Sequence, residues 1–223
     1  MNEVRDIPFE EFEPVRKFPA YKGKRAHEGS FWFASSGRHV RFESYFEMIA
    51  LTLLDFTHQI EKVSSNPFWL LWPKGSKPAR HAPDFFARLA DGSVLVVDVH
   101  PRKYLTERIQ TQHSRTRAVC NSVGWTYHEF TEIHDAVQHN IALVAAYSHR
   151  RFAPEPMVRE TILSRALPPE IGGAPLASIL AAVGHECGLD HISALTAFHH
   201  LAWQRDVHFD LAVPLTIDST VWR

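Results

Sequence analysis

Apolar and polar positions along the chain fall into short blocks whose period changes several times. Residues 1–30 are polar, carry Pro and Lys, and show no period, which predicts an extended N-terminal arm. Phe31 to Phe42 reads as a β-hairpin that turns at Ser35-Ser36-Gly37. Phe42, Phe46, Ile49 and Leu53 then recur at i, i+4, i+7 and i+11, predicting a core-facing helix over Glu43 to Asp55. Glu43 and Glu47, four residues apart, are expected on one flank of it. Ile60 to Trp72 is apolar and aromatic but broken at Asn66-Pro67, giving a strand, a break and a second strand. Asp84 to Leu89 and Ser93 to Val99 are two strands joined by Asp91-Gly92, a strong hairpin signal. Val94-Leu95-Val96-Val97 is continuously apolar, as a central strand covered on both faces should be.

Leu105, Ile109, Thr116 and Cys120 lie near helical spacing in an otherwise polar stretch. Trp125 to Phe130 reads as a strand, and Ile133 to Tyr147 as a helix with Ile133, Val137, Ile141 and Val144 on one side. A helix between the central strand and the next strand permits a parallel crossover, so the order is α/β. Pro154-Glu155-Pro156 marks an expected boundary. Beyond it come a short helix over Val158 to Ala166 and a helix over Leu176 to Val183 with Pro175 at its N1 position. A third helix is capped by Asp190, and Phe209 to Trp222 reads as a β-hairpin. Three short helices and a hairpin form the order of a winged-helix domain. The predicted organisation is therefore an arm over 1–30, an α/β domain over 31–150 and a winged-helix-like C-terminal domain over 157–223.

The chain of 223 residues is 45% hydrophobic, enough for a real core, and its net charge of -1 excludes a globally basic protein. Charge is uneven, however. Residues 14–25 carry Arg16, Lys17, Lys22, Lys24 and Arg25 with no acid, and residues 99–118 carry Arg102, Lys103, Arg108, Arg115 and Arg117 against Glu107 alone. Such clusters neutralise phosphates locally even in a neutral protein. Residues 151–223 hold 5 Lys/Arg against 8 Asp/Glu, which favours a protein partner there over DNA. Cys120 and Cys187 lack metal spacing and are expected to be buried free thiols. The opening is charged with no apolar segment behind it, so no signal peptide and no membrane are expected, and a cytoplasmic location follows.

The candidate chemistry centres on His81 to His100. Asp84 and Asp98 sit on adjacent predicted strands at one end of a hairpin. Two rigidly placed carboxylates can hold the Mg²⁺ (or Mn²⁺) that a phosphodiester nuclease uses to activate water and stabilise charge on phosphate. Asp98, directly after Val-Leu-Val-Val, would be buried and so needs a cation or metal partner. Glu47 alone reads as an exposed helix residue; with the two aspartates it fits as a third carboxylate. His100 reads as a ligand or proton carrier, as the remnant of a lysine, or as an ordinary strand-end histidine. No Gly-rich phosphate loop, His-Glu-x-x-His or paired-Cys motif occurs. His199 and His200 are expected on the exposed flanks of a helix.

These residues carry a resemblance. Gly37-Arg38-His39-Val40, Glu43-Ser44 with Glu47, Leu53-Leu54-Asp55-Phe56, Asn66-Pro67-Phe68, Ala82-Pro83-Asp84-Phe85, Asp91-Gly92 and Val97-Asp98-Val99-His100-Pro101 follow in order over roughly residues 31–150. In this the chain resembles the TnsA-like endonuclease subunit of heteromeric transposases, within the PD-(D/E)xK nuclease superfamily. The resemblance implies a restriction-endonuclease-like mixed sheet flanked by helices, followed by a small winged-helix-like helical domain. It places the family's helix glutamate on Glu47 and its metal aspartate on Asp84. Its final acidic or amide residue falls on Asp98, and its lysine on His100, where this chain departs from the pattern. The implied catalytic set is Glu47, Asp84, Asp98 and His100, with the first three holding metal; separately, the basic stretch after His100, with Arg102, Lys103, Arg115 and Arg117, is expected to face DNA. The implied function is nicking of one strand at transposon ends on double-stranded DNA. A DDE-type transposase subunit would cut the other strand, and an ATPase regulator would dock on the C-terminal domain. The departure at His100 motivates an alternative, a catalytically inactive nuclease fold serving DNA binding or assembly. A stand-alone defence nuclease is the third reading.

Overall fold

A computed structural model of the chain describes Val4 and residues 6–16, 27–72 and 79–223. Within it the chain forms two compact units, Met1–Glu132 and Ile133–Arg223.

The first unit opens with a hairpin of β1 (Gly29–Phe33) and β2 (Arg38–Phe42), turning where Ser35-Ser36-Gly37 predicted. Helix α1 (Tyr45–Phe56) follows. Its N-cap is Ser44, whose hydroxyl accepts the Glu47 backbone N–H at 3.2 Å. Glu43 therefore precedes the helix instead of sharing a helical flank with Glu47, and its N–H donates to Glu47 Oε2 at 2.8 Å. At the other end Asp55, only 2% exposed, accepts N–H bonds from Ala34 at 3.0 Å and Ser35 at 3.3 Å. The helix is thus tied to the turn of the preceding hairpin.

Strands β3 (Ile60–Ser65) and β4 (Leu70–Trp72) flank the predicted break at Asn66-Pro67, where Asn66 takes a positive φ of 45°. Next come β5 (Ala79–His81), β6 (Phe85–Leu89), β7 (Val94–Val99), helix α2 (Glu107–Ser122) and β8 (Thr126–Phe130). The main sheet runs β3-β6-β7-β8. Its first two pairings are antiparallel, and β7 pairs with β8 in parallel through the α2 crossover. Strand β7 is central, and five of its six residues are buried. Strands β4 and β5 form a separate two-stranded ribbon. The sequence reads the arm as extended, yet its described part is packed down. The Phe9 ring meets Phe68, Phe86 and Trp125 with centroids 4.6, 5.5 and 5.8 Å away. An arm without a period can still bury one aromatic anchor. Lys17, Lys22, Lys24 and Arg25 lie outside the described residues.

The second unit holds α3 (Asp135–Ala145), α4 (Pro156–Arg165), β9 (Ala174–Pro175), α5 (Leu176–Cys187), α6 (His191–Trp203), β10 (His208–Phe209) and β11 (Thr220–Trp222). The boundary expected at Pro154-Glu155-Pro156 falls inside this unit. Helix α3 packs on α6, and its fully buried Asn140 amide donates to Leu211 O at 3.0 Å and Val213 O at 2.8 Å and accepts from Leu215 N at 3.0 Å. These bonds tie α3 to the C-terminal segment. Pro175 caps α5 from outside the helix and pairs with β11, so the expected hairpin becomes a three-stranded sheet, β10-β11-β9. Asp190 caps α6 as expected, accepting from Ile192 N and Ser193 N. His199 and His200 are not on exposed flanks: they are 4% and 5% exposed. Helix α6 is buried on most sides, so its polar positions are drawn inward with the rest. Cys120 is buried, whereas Cys187 is only half-buried; both are free thiols.

Candidate active site

The register that pairs Phe85 with Val97, extended by one residue, sets Asp84 opposite Asp98. The two strand ends are laced together there. Val99 N–H donates to Asp84 Oδ2 at 2.8 Å, and Asp84 N–H donates to Asp98 Oδ1 at 3.3 Å. A cleft of about 380 Å³ opens over this point, and Glu47, Asp84, Asp98 and His100 all line it. Three separate stretches of sequence thus deliver their candidate residues to one place.

Crowding of carboxylates sets their charge. Burial pushes the Asp84 carboxyl well above its ordinary range, and the nearby charges of Asp98 and Glu47 push it further. The Val99 N–H and Arg16 offset this only in part. Glu47 is also raised, by burial above all, despite the bonds it accepts from Glu43 N–H and the Ser44 hydroxyl. Asp98, 1% exposed, goes the other way. Burial pushes it up, but hydrogen bonds from His81 and Tyr127 and the positive edge of the His81 ring outweigh that, and it stays below the usual carboxylate range.

His81 is the residue that sequence reasoning passed over. Its Nε2 lies 2.9 Å from both oxygens of Asp98, and Gln112 Nε2 donates to its Nδ1 at 2.8 Å. Tyr127 Oη donates to Asp98 Oδ2 at 2.7 Å. Asp98 has therefore found the buried partner that its position demanded, and that partner is a histidine on β5. His100 lines the cleft but directs Nε2 to Tyr104 O at 3.1 Å. His113, 3% exposed, bonds Glu129 Oε2 at 3.0 Å through Nδ1, with its ring 6.4 Å from that of His100. The signal for Gln112 and His113 was present as a gap: the stripe Ile109, Thr116, Cys120 on α2 skips the turn that faces the cleft. From the arm, Arg16 pairs with Glu43 at 2.5 Å and stands 4.0 Å from Asp84 Oδ1.

The four basic residues expected to face DNA divide. Arg102 pairs with Glu132 at 2.6 Å, Arg117 pairs with Glu129 and lies over the Tyr127 ring, and Lys103 lies over the Tyr104 ring. Arg115 lines a cleft that adjoins the carboxylates.

The oxygen donors of Glu47, Asp84 and Asp98 are of the kind that Mg²⁺ prefers, and the repulsion that adds to burial in raising Asp84 is what a divalent cation relieves. Their disposition is that of a closed network. Glu47 folds back on its own helix cap, Asp98 is held by His81 and Tyr127, and among the described residues no group of three or more His, Cys, Asp or Glu is disposed to hold a metal ion. No known family's sequence profile matches the chain, and no curated protein matches it.

Proposed function

We propose that this chain is a metal-dependent DNA endonuclease, acting as the subunit of a transposase that nicks one strand at transposon ends. One observation carries the reading: Glu47, Asp84, Asp98 and His100, picked from separate stretches of sequence, line one cleft at the end of the central strand pair. The four-stranded mixed sheet with α1 and α2 is what a restriction-endonuclease-like core requires, and the second unit is proposed as winged-helix-like. The transposase setting, with a DDE-type partner and an ATPase regulator, rests on the resemblance over residues 31–150.

Asp84 and Glu47 would hold Mg²⁺ or Mn²⁺, with Asp98 joining them once His81 is displaced. The bound cation would supply a nucleophilic water and neutralise charge on the phosphate. The chain's own residues set the conditions. The Val99 N–H fixes the direction of Asp84, Tyr127 and Gln112 hold the Asp98–His81 pair, and Arg16 screens Asp84. His100, tied to Tyr104 O, offers no fixed positive charge where the family carries lysine.

The tied Asp98 also favours a second reading, an inactive nuclease fold that binds DNA or assembles the complex. Asp84→Asn separates the two. In the wild type Mg²⁺ or Mn²⁺ should raise the melting temperature with concentration, as ligand linkage requires, and support nicking of end-containing DNA with the partner present. The variant should lose both. The raised Asp84 group binds its proton more tightly folded than unfolded. Stability therefore falls as pH rises from the unfolded pKa, ~3.9, through the folded one, and the neutral variant should melt higher than the metal-free wild type at pH 7. A wild type indifferent to metal, yet still binding DNA, would establish the scaffold reading.

A further inference from the structure

Beside the carboxylates lies a second cleft, of about 460 Å³, lined by Trp72, Ala79, Arg80, Arg108, Thr111, Gln112 and Arg115. Arg80 and Gln112 line both clefts, so the two adjoin. One wall is a single face of α2: Arg108, Thr111, Gln112 and Arg115 fall at i, i+3, i+4 and i+7. The other is the β4–β5 ribbon, with Arg80 lying over the Trp69 ring at 4.6 Å.

The three arginines differ from most of their neighbours. In the first unit Arg16, Arg38, Lys62, Arg88, Arg102 and Arg117 each have a carboxylate partner. Arg80, Arg108 and Arg115 have none among the described residues. Three guanidiniums lining one cleft, with no carboxylate among its described lining residues, favour an anion there. A planar fork of N–H donors matches phosphate oxygens in particular. An indole in the same wall adds a flat surface for a base or sugar.

We propose that the Arg80–Arg108–Arg115 cleft is the track for a nucleic-acid backbone, holding the phosphates that flank the one presented to Glu47, Asp84 and Asp98. This rests on the nuclease reading for its direction, and it moves the main binding surface away from Arg102, Lys103 and Arg117. Recognition here is of backbone, not of sequence, because among the described residues no carboxylate or amide other than Gln112 lines the cleft.

The test is binding of a fluorescent DNA duplex by anisotropy across a salt series, in EDTA so that no cutting occurs. The combined variant Arg80→Gln, Arg108→Gln, Arg115→Gln should weaken binding about 100-fold or more near 0.1 M salt and lower the salt slope by roughly 0.9 per lost contact. Arg165→Gln, which removes an equal type of charge from an ion pair in the other unit, should change neither. Melting temperatures of both variants guard against misfolding, and the three single variants give graded losses if the triple change unfolds the chain. An unchanged slope in the triple or single variants overturns the track. So does tighter binding of polyglutamate than of duplex by the wild type. Because the readout is metal-free, failure of nicking with the arginine effect intact would sink the nuclease reading and leave the track standing.

Discussion

Three donors converge on the two oxygens of Asp98: His81 Nε2, Tyr127 Oη and the Asp84 N–H. A carboxylate so enclosed is stable as an ion without metal, and any cation that takes Asp98 must first displace the imidazole. In the proposed nuclease His81 would therefore set the threshold for metal entry. His81→Ala removes a buried hydrogen bond to a charged group, which costs about 1.5–3 kcal/mol of folding stability in urea titrations. The same change should lower the Mg²⁺ concentration at half-maximal thermal stabilisation, since the competitor is gone. A midpoint that stays put or rises would show that His81 does not compete at Asp98. The opposition of Asp84 and Asp98 was readable from the Asp91-Gly92 hairpin alone, because a tight turn fixes register. His81 was not readable. It lies before Pro83 on a different ribbon, and a spacing of three residues across a bend says nothing about side-chain direction.

At the scale of elements, the site depends on how α1 is held, because α1 carries Glu47. Ser44 closes its N-terminus by accepting the Glu47 N–H, and Glu47 reaches back to the Ser44 hydroxyl and the Glu43 N–H, a variant of the capping box that the sequence displays as Ser-x-x-Glu. Asp55 closes the other end by accepting from Ala34 and Ser35. The apolar stripe that predicted α1 gave no hint of this, since Asp55 lies beyond it and its partners come from 20 and 21 residues earlier. Burial pushes the Asp55 carboxyl up, and the bonds from the Ala34 and Ser35 backbones only partly oppose it. The neutral acceptor should then serve nearly as well as the charged one. Asp55→Ala, which strands two N–H groups, is expected to cost about 1–3 kcal/mol, with Asp55→Asn well below that, measured as urea midpoints. Equal losses in the two variants would show that the negative charge, not the acceptor geometry, holds the hairpin turn. The same logic explains the domain boundary. Pro154-Glu155-Pro156 is a compositional break, but Asn140 binds across it, and one buried amide outweighs two prolines.

For the whole molecule, the two units carry different charge. Residues 133–223 hold 6 Lys/Arg against 9 Asp/Glu, a composition suited to a protein partner and not to a phosphate backbone. Inside this unit His199 stacks on Tyr147 at 4.7 Å, its Nδ1 has no hydrogen-bond partner among the described residues, and burial lowers its pKa to about 4. The unfolded chain takes up that proton near the reference value of ~6.5. Between these values the unfolded state binds more protons than the folded one, so stability is whole above ~6.5 and is lost as pH falls towards 4. At ~1.36 kcal/mol per unit, the loss between pH 7 and pH 4.5 is about 2–3 kcal/mol. The chain holds 15 histidines, so the comparison that isolates this one is His199→Leu, which keeps an apolar side chain against Tyr147 and carries no proton. Urea unfolding of the full chain, followed by near-ultraviolet circular dichroism, should show the wild type losing more than the variant over that pH interval. If both lose equally, the acid sensitivity of this unit arises elsewhere than at His199.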